Sequence, residues 1–262
     1  MNLTELIRTR KSFRTYDGRP LEAEDLQKLK DFAANLTNPY GIPVEFVFLN
    51  AKEAGLATPV IVGEPMYVAA KVKKAPHFEE AYGYAFEKFV LYAWSLGVGT
   101  TWIGGTMDRP AFEAAFGKAN DEVMPIVSPL GYPSEERSDV DIKLRTGVKG
   151  DWRLPASELF FDGNFETPLT ETEPACAKQL ELIRWAPSAA NKQPTRIVKV
   201  GNAFHFYEKH TEGYGAGPWD IQRIDMGITL NHFLDAIGGT LTVEDPGISV
   251  PEGTDYLATV TL

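Results

Sequence analysis

Two stretches carry side chains able to do chemistry. The first is Arg8-Thr9-Arg10-Lys11-Ser12-Phe13-Arg14, where cationic groups surround a hydroxyl. Such a set can hold a phosphate by charge-assisted hydrogen bonds. It can equally be the basic end of a short helix, because cations favour the negative end of the helix dipole. The second is Trp185 to Pro194, which reads WAPSAANKQP. Pro187 and Pro194 bracket residues that cannot continue a helix, so the segment turns. Ser188, Asn191 and Gln193 present a hydroxyl and two amides that both donate and accept, beside the small residues Ala189 and Ala190. That combination suits a flat, polar-edged heterocycle, and it also suits a plain helix-to-strand connection built of turn formers. A third stretch, GVGTTWIGG from Gly97 to Gly105, has two close pairs of glycines that permit close backbone approaches. It has neither the GxGxxG spacing of a dinucleotide fold nor the Gly-Lys-Ser/Thr of a phosphate loop.

The elements that must position these stretches follow from periodicity. Residues 2 to 9 form a short helix, with Asn2 as cap and Glu5 at the capping-box position. Leu21 to Asn35 is an amphipathic helix, followed by a strand from Val44 to Leu49. Val60 to Val62 and Met66 to Val72 are extended around the Gly63-Glu64-Pro65 break. Tyr84 to Leu96 repeats its aromatics at helical spacing, which marks a buried helix rather than a cofactor wall. A helix around Arg109 to Phe116 and a strand within Met124 to Pro133 come next, then a charged segment from Ser134 to Trp152. The run from Ala175 to Trp185 has helical composition and leads into the WAPSAANKQP turn.

The totals exclude several classes. With 262 residues the chain can bury a substantial core as one large domain or two small ones. A formal charge of -10 argues against a general nucleic-acid binder, which depends on basic patches. The single cysteine, Cys176, precludes an intrachain disulfide, and the four histidines lack a metal-ligand spacing, so no metal site is expected. The opening MNLTELIRTR has no long apolar run, so neither a signal peptide nor a membrane span is expected, and the predicted location is cytoplasmic.

The three stretches together resemble the nitroreductase family of FMN-dependent oxidoreductases. RTRKSFRTY is similar to that family's N-terminal pattern of arginine, serine and a further basic residue. The resemblance implies that Arg10 and Ser12, with Lys11 beside them, reach the FMN phosphate and ribityl chain, and that Arg14 approaches the pyrimidine edge. GVGTTWIGG resembles the family's GLGTCWIGGF, whose backbone lies against the flavin ring. Trp102, Ile103, Gly104 and Gly105 take that role here. APSAANKQP resembles the family's APSxxNxQPW, implying ring contacts from Pro187, Ser188, Ala189, Asn191 and Gln193. WRLPASEL resembles KxRxPLEEL, which gives Arg153 the part of closing over the phosphate, while Asp151 stands at the lysine position.

An internal echo completes the reading. LEAEDLQKLKDFA near residue 21 is matched by TETEPACAKQLELIRWA near residue 170, and the strands EFVFLNA and RIVKVGNA follow each. The helix before Gly97 has a counterpart in Ile224 to Ile237, ending at Gly238-Gly239. The first copy, 1–165, lacks the PSAANKQP turn, and the second, 166–262, lacks the arginine-serine start. The resemblance then implies an α+β, nitroreductase-like fold with a central, mostly antiparallel sheet flanked by helices. The duplication makes it a single-chain pseudo-dimer that acts as a monomer, its intertwined halves sharing one FMN. The implied activity is NAD(P)H oxidation coupled to reduction of a nitroaromatic, quinone or related small acceptor by ping-pong kinetics. The alternative is a flavin-binding protein without significant turnover, a sensor or carrier.

Overall fold

The structure is a computed structural model and describes residues 1–170, 174–215 and 217–262. The start of the echo near residue 170 falls on 171–173 and so lies outside the described residues. The chain divides into two compact units, Met1–Gly150 and Asp151–Leu262. Residues 151–165, assigned by the sequence to the first copy, therefore belong to the second unit.

The first unit opens with helix α1 (Leu3–Thr9), whose capping box is formed as its residue types dictate. Asn2 N–H donates to Glu5, and Glu5 N–H donates back to Asn2 Oδ1, each at 3.0 Å. Helix α2 (Ala23–Ala34) leads into strand β1 (Glu45–Asn50), which pairs antiparallel with β2 (Met66–Lys73). Strand β2 also pairs with β3 (Glu122–Val123) and β4 (Val127–Leu130), both antiparallel. Val60 to Val62 contributes one bridge, between Thr15 and Val62.

The two-residue period of β1 decides what each face touches. Phe46 and Phe48 pack on Phe86 and Phe89 of helix α3 (Phe78–Ser95). Val47 and Leu49 face the other way, onto a cluster holding Tyr67, Ile103, Phe112 and Met124. Phe112 comes from helix α4 (Arg109–Ala115). Helix α3 starts at Phe78, earlier than Tyr84, because His77 turns the chain in a left-handed conformation (φ 67°) and Glu79 and Glu80 suit the first turn. The charged run after Ser134 is partly helical. It contains helix α5 (Asp139–Gly147), where Ser138 Oγ accepts from Asp141 N–H at 3.4 Å.

The second unit is a sheet in the order β5-β6-β7-β9-β8. Strand β5 (Phe160–Asp162) runs parallel to β6 (Thr195–Val200). Strands β7 (Ala203–Lys209), β9 (Thr254–Thr261) and β8 (Thr240–Thr242) continue antiparallel. Helix α6 (Pro174–Arg184) precedes β6, and helix α7 (Ile221–Ala236) packs Phe233 against Phe204 and Phe206 of β7. Both sheets with their helices make an α+β architecture. No helix among the described residues is long and apolar enough to cross a membrane.

Tight packing at one glycine gives a direct test. A Cβ on Gly131 would lie 2.7 Å from Pro65 Cδ and 2.8 Å from Tyr16 Cδ1, whereas one on Gly105 would meet nothing within 4 Å. Gly131→Ala should destabilise the protein by roughly 1–3 kcal/mol and lower the melting temperature, while Gly105→Ala should leave it unchanged. Equal melting temperatures would remove the crowding argument.

Candidate functional site

In the first unit the basic stretch leaves α1 as an extended segment, and the Ser12–Thr100 bridge ties it to the glycine-rich turn. Phe13 N–H donates to the Thr100 carbonyl at 2.9 Å. Arg10 is 9% exposed and lies 3.7 Å from the fully buried Glu87 of α3. Arg14 reaches Asp141 of α5 at 3.4 Å, and Arg137 meets the other oxygen of the same carboxylate at 3.0 Å. Burial lowers the pKa of Arg10 and Arg14, opposed by Glu87 and Asp141 respectively. A further cation, Arg145 on α5, lowers both again. Asp141 and Arg145 stand one helical turn apart, so one face of α5 delivers the acid and the base together.

Arg145 thus lies close enough to Arg10 and Arg14 to act on both, and Ser12 and the exposed Lys11 fall between those two arginines in the chain. Cations brought near one another, here one buried and two half-buried, are chemistry suited to an anion of more than one charge, such as a phosphate monoester. The buried Nε of Arg10 has no hydrogen-bond partner among the described residues.

Trp102 stacks at a tilt on Phe86, with ring centroids 4.8 Å apart, and its buried Nε1 has no hydrogen-bond partner among the described residues. Ile103 is buried and bridges Val127, so its side chain belongs to the core and its neighbours offer backbone. Gly104 gives its carbonyl to Arg109, and Gly105 is exposed.

The second unit holds the other stretch. Ala189–Asn191 is one turn of 3-10 helix, with Asn191 N–H donating to the Ser188 carbonyl at 2.9 Å. Ala190, Asn191 and Gln193 take φ of 45°, 57° and 53°. For residues with a Cβ the left-handed region costs roughly 1–2 kcal/mol each, so the surroundings must hold the turn. Ser188 Oγ accepts from Gln193 N–H at 2.8 Å, and Gln193 Oε1 accepts from Leu154 N–H at 2.9 Å. Both oxygens of Asp225 accept from Ala189 N–H at 3.0 Å. Asn191 Nδ2 donates to the Trp152 carbonyl at 3.0 Å. Pro187, Ser188 and Gln193 line a small cavity with Thr195, Asp225 and Thr229.

Arg153 is held by contacts within the second unit. It donates to Asn191 Oδ1 at 3.2 Å and lies over the Trp185 ring at 4.9 Å, within the second unit. Within the first unit, the further cation close enough to act on both Arg10 and Arg14 is Arg145. Lys143-Leu144-Arg145 also has the spacing of the two basic residues sought at positions 151 and 153, which is the signal that would have found it. Asp141 and Asp225 announce themselves by no local pattern.

A second polar cluster lies at the end of β7. Glu208, His210 and Asp220 each place a possible metal-ligand atom within 4.8 Å of the others. Arg223 sits 2.7 Å from Glu208, and His210 bridges Glu208 at 3.1 Å and Asp255 at 2.8 Å. These contacts make it an ion-pair network.

Residues 2–237 match the family described as Putative TM nitroreductase, and the chain belongs to that family. It is similar to a putative nitroreductase from Thermotoga maritima MSB8, at 21% identity and a TM-score of 0.64 over 100% of this chain and 94% of that one. An FMN-dependent nitroreductase from Clostridium difficile R20291 is 20% identical, with a TM-score of 0.45 over 53% of this chain and 94% of that one. A nitroreductase with bound FMN from Bacteroides fragilis NCTC 9343 is 22% identical, with a TM-score of 0.43 over 53% and 92%. Among curated proteins none matches the sequence.

The Glu208 network makes stability depend on pH. Burial and the nearby Asp220 push Glu208 up to about 7 from its ordinary value. A carboxyl raised in the folded state contributes stability that is complete below its unfolded pKa and is lost as pH rises through the folded one. Unfolding free energy should therefore fall between about pH 4.5 and pH 7, and Glu208→Gln should flatten the fall. Parallel pH profiles for the two proteins in urea titrations would refute the assignment.

Proposed function

We propose that the chain is an FMN-dependent NAD(P)H oxidoreductase acting on nitroaromatic, quinone or related small acceptors, with one FMN per chain. The observation that carries the reading is the proximity of Arg145 to Arg10 and Arg14, the arginines on either side of Ser12 in the sequence, in a nitroreductase-family chain. The donor set fits the group: a cationic cluster for the phosphate, a buried Arg10 Nε and a buried Trp102 Nε1 in need of acceptors. Arg10, Ser12 and Arg145 would take the phosphate and ribityl chain, with Lys11 adding charge at the surface. Arg14, steadied by Asp141, would place positive charge where the reduced flavin gathers electron density. The backbone of Trp102 to Gly105 would line the ring, and the Pro187–Pro194 turn of the second unit offers amides of the kind that meet a flavin's polar edge.

When bound, FMN supplies electron transfer between a nicotinamide donor and the acceptor. The protein's own residues bind and orient the group and exclude water, so no acid–base triad is required. Donor and acceptor using the same slot in turn gives ping-pong kinetics.

The purified protein should be yellow, with one FMN per chain, and NADH or NADPH should bleach it within the time of turnover. Colourless protein that takes up no added FMN would end the proposal, and bleaching far slower than turnover with every donor would leave a flavin binder. Losing one charge-assisted contact weakens binding by a factor of roughly ten or more. Arg145→Ala should therefore raise the FMN dissociation constant at least about tenfold, with inorganic phosphate competing less well. An equal effect from Arg153→Ala alone would return the phosphate to Arg153. Arg14→Ala should still bind FMN but lower its reduction potential, and an unchanged potential would remove Arg14 from that role.

A further inference from the structure

We propose that Asp225 is a positioning residue for the Pro187–Pro194 turn, holding the Ala189 N–H and through it the left-handed residues that follow. The proposal rests on the reading that this turn lines the flavin.

A helical turn begins with N–H groups that have no partner inside it. Ser188 stands at the cap position here, but its hydroxyl does not cap the turn, because it accepts from Gln193 N–H at 2.8 Å. The Ala189 N–H goes elsewhere, to both oxygens of Asp225 at 3.0 Å. The Ala189 carbonyl accepts from Lys192 N–H at 3.0 Å, so the peptide groups on either side of Ala189 are fixed. The strained residues Ala190, Asn191 and Gln193 come directly after this anchor.

Asp225 is well placed for the task. It sits in the second turn of α7, flanked by the buried Ile224, Met226 and Ile228. One turn further on, Thr229 Oγ1 donates to the Asp225 carbonyl at 3.2 Å and lies 2.7 Å from Thr195 Oγ1 at the start of β6. One rigid helix therefore grips the chain both at the start of the strained turn and just after its end. The side chain is 4% exposed, and burial raises its pKa well above the ordinary value, opposed by the Ala189 hydrogen bond and aided by Glu208 and Asp220. A neutral carboxyl still accepts through its carbonyl oxygen, so the anchor does not require the charge.

Full-length Asp225→Asn and Asp225→Leu proteins separate positioning from bulk packing. Asparagine keeps an oxygen that can accept the Ala189 N–H, while leucine fills the space without one. In Asp225→Leu, hydrogen exchange at Ala189 should speed up roughly tenfold, the value of one net hydrogen bond, and the FMN dissociation constant should rise by a similar factor. Asp225→Asn should stay within about threefold of the parent in both. Should the leucine variant fail to fold, Asp225→Ser, too short to reach Ala189, takes its place with the same expectation. Unchanged Ala189 protection in Asp225→Leu, or an asparagine variant as impaired as leucine, would overturn the proposal. If the parent takes up no FMN, the flavin reading fails, and the exchange at Ala189 still decides whether Asp225 holds the turn.

Discussion

Like charges in a low-dielectric corner repel, and the first unit is arranged around that fact. Burial makes Arg10 and Arg14 less comfortable as cations, and Arg145 nearby adds to the penalty on both. Glu87 on α3 and Asp141 on α5 offset it, one carboxylate under each of the two N-terminal arginines. The helices that carry the acids would therefore be part of the proposed anion site although neither acid would touch an anion. Holding the arginines before a ligand arrives removes much of the ordering cost that flexible side chains would incur on binding.

The turn in the second unit solves a different problem by similar means. Its backbone adopts unfavourable angles at three residues that are not glycine, and hydrogen bonds from Ser188, Gln193 and Asp225 hold it there. Glycines would relax the backbone but would give up the amides of Asn191 and Gln193. Side chains with polar ends in a strained but well-braced loop are a common way to present hydrogen-bonding groups in a fixed direction.

Local signals were legible in the sequence, and long-range ones were not. The Asn2–Glu5 capping box, the strand after α2 and the aromatic repeat of α3 depend on neighbours a few residues away; the box and the strand stand close to where they were read, while α3 begins six residues before Tyr84. Helix α5 escaped because its run is short and charged, although Ser138 was a readable cap. Arg153 was read from the residues after it, Leu154-Pro155, whereas its neighbours in space are Asn191 and Trp185, far along the chain. The carboxylates at 87, 141 and 225 gain their meaning only from what folding brings beside them. The family likeness supplied the roles of Arg10, Ser12 and the PSAANKQP residues, which residue chemistry alone left open between a ligand site and ordinary turns.

Strand β5 is a three-residue piece laid parallel along β6, and it comes from sequence well before helix α6. It closes what would otherwise be the open margin of the second sheet. A chain cut between β5 and α6 would leave the β6 N–H and C=O groups on that side unmatched, a ready template for strand addition by another molecule. Loss of the fragment that carries β5 after a cut in residues 163–170 would therefore expose a strand edge prone to self-association, even with the Pro187–Pro194 turn still in place.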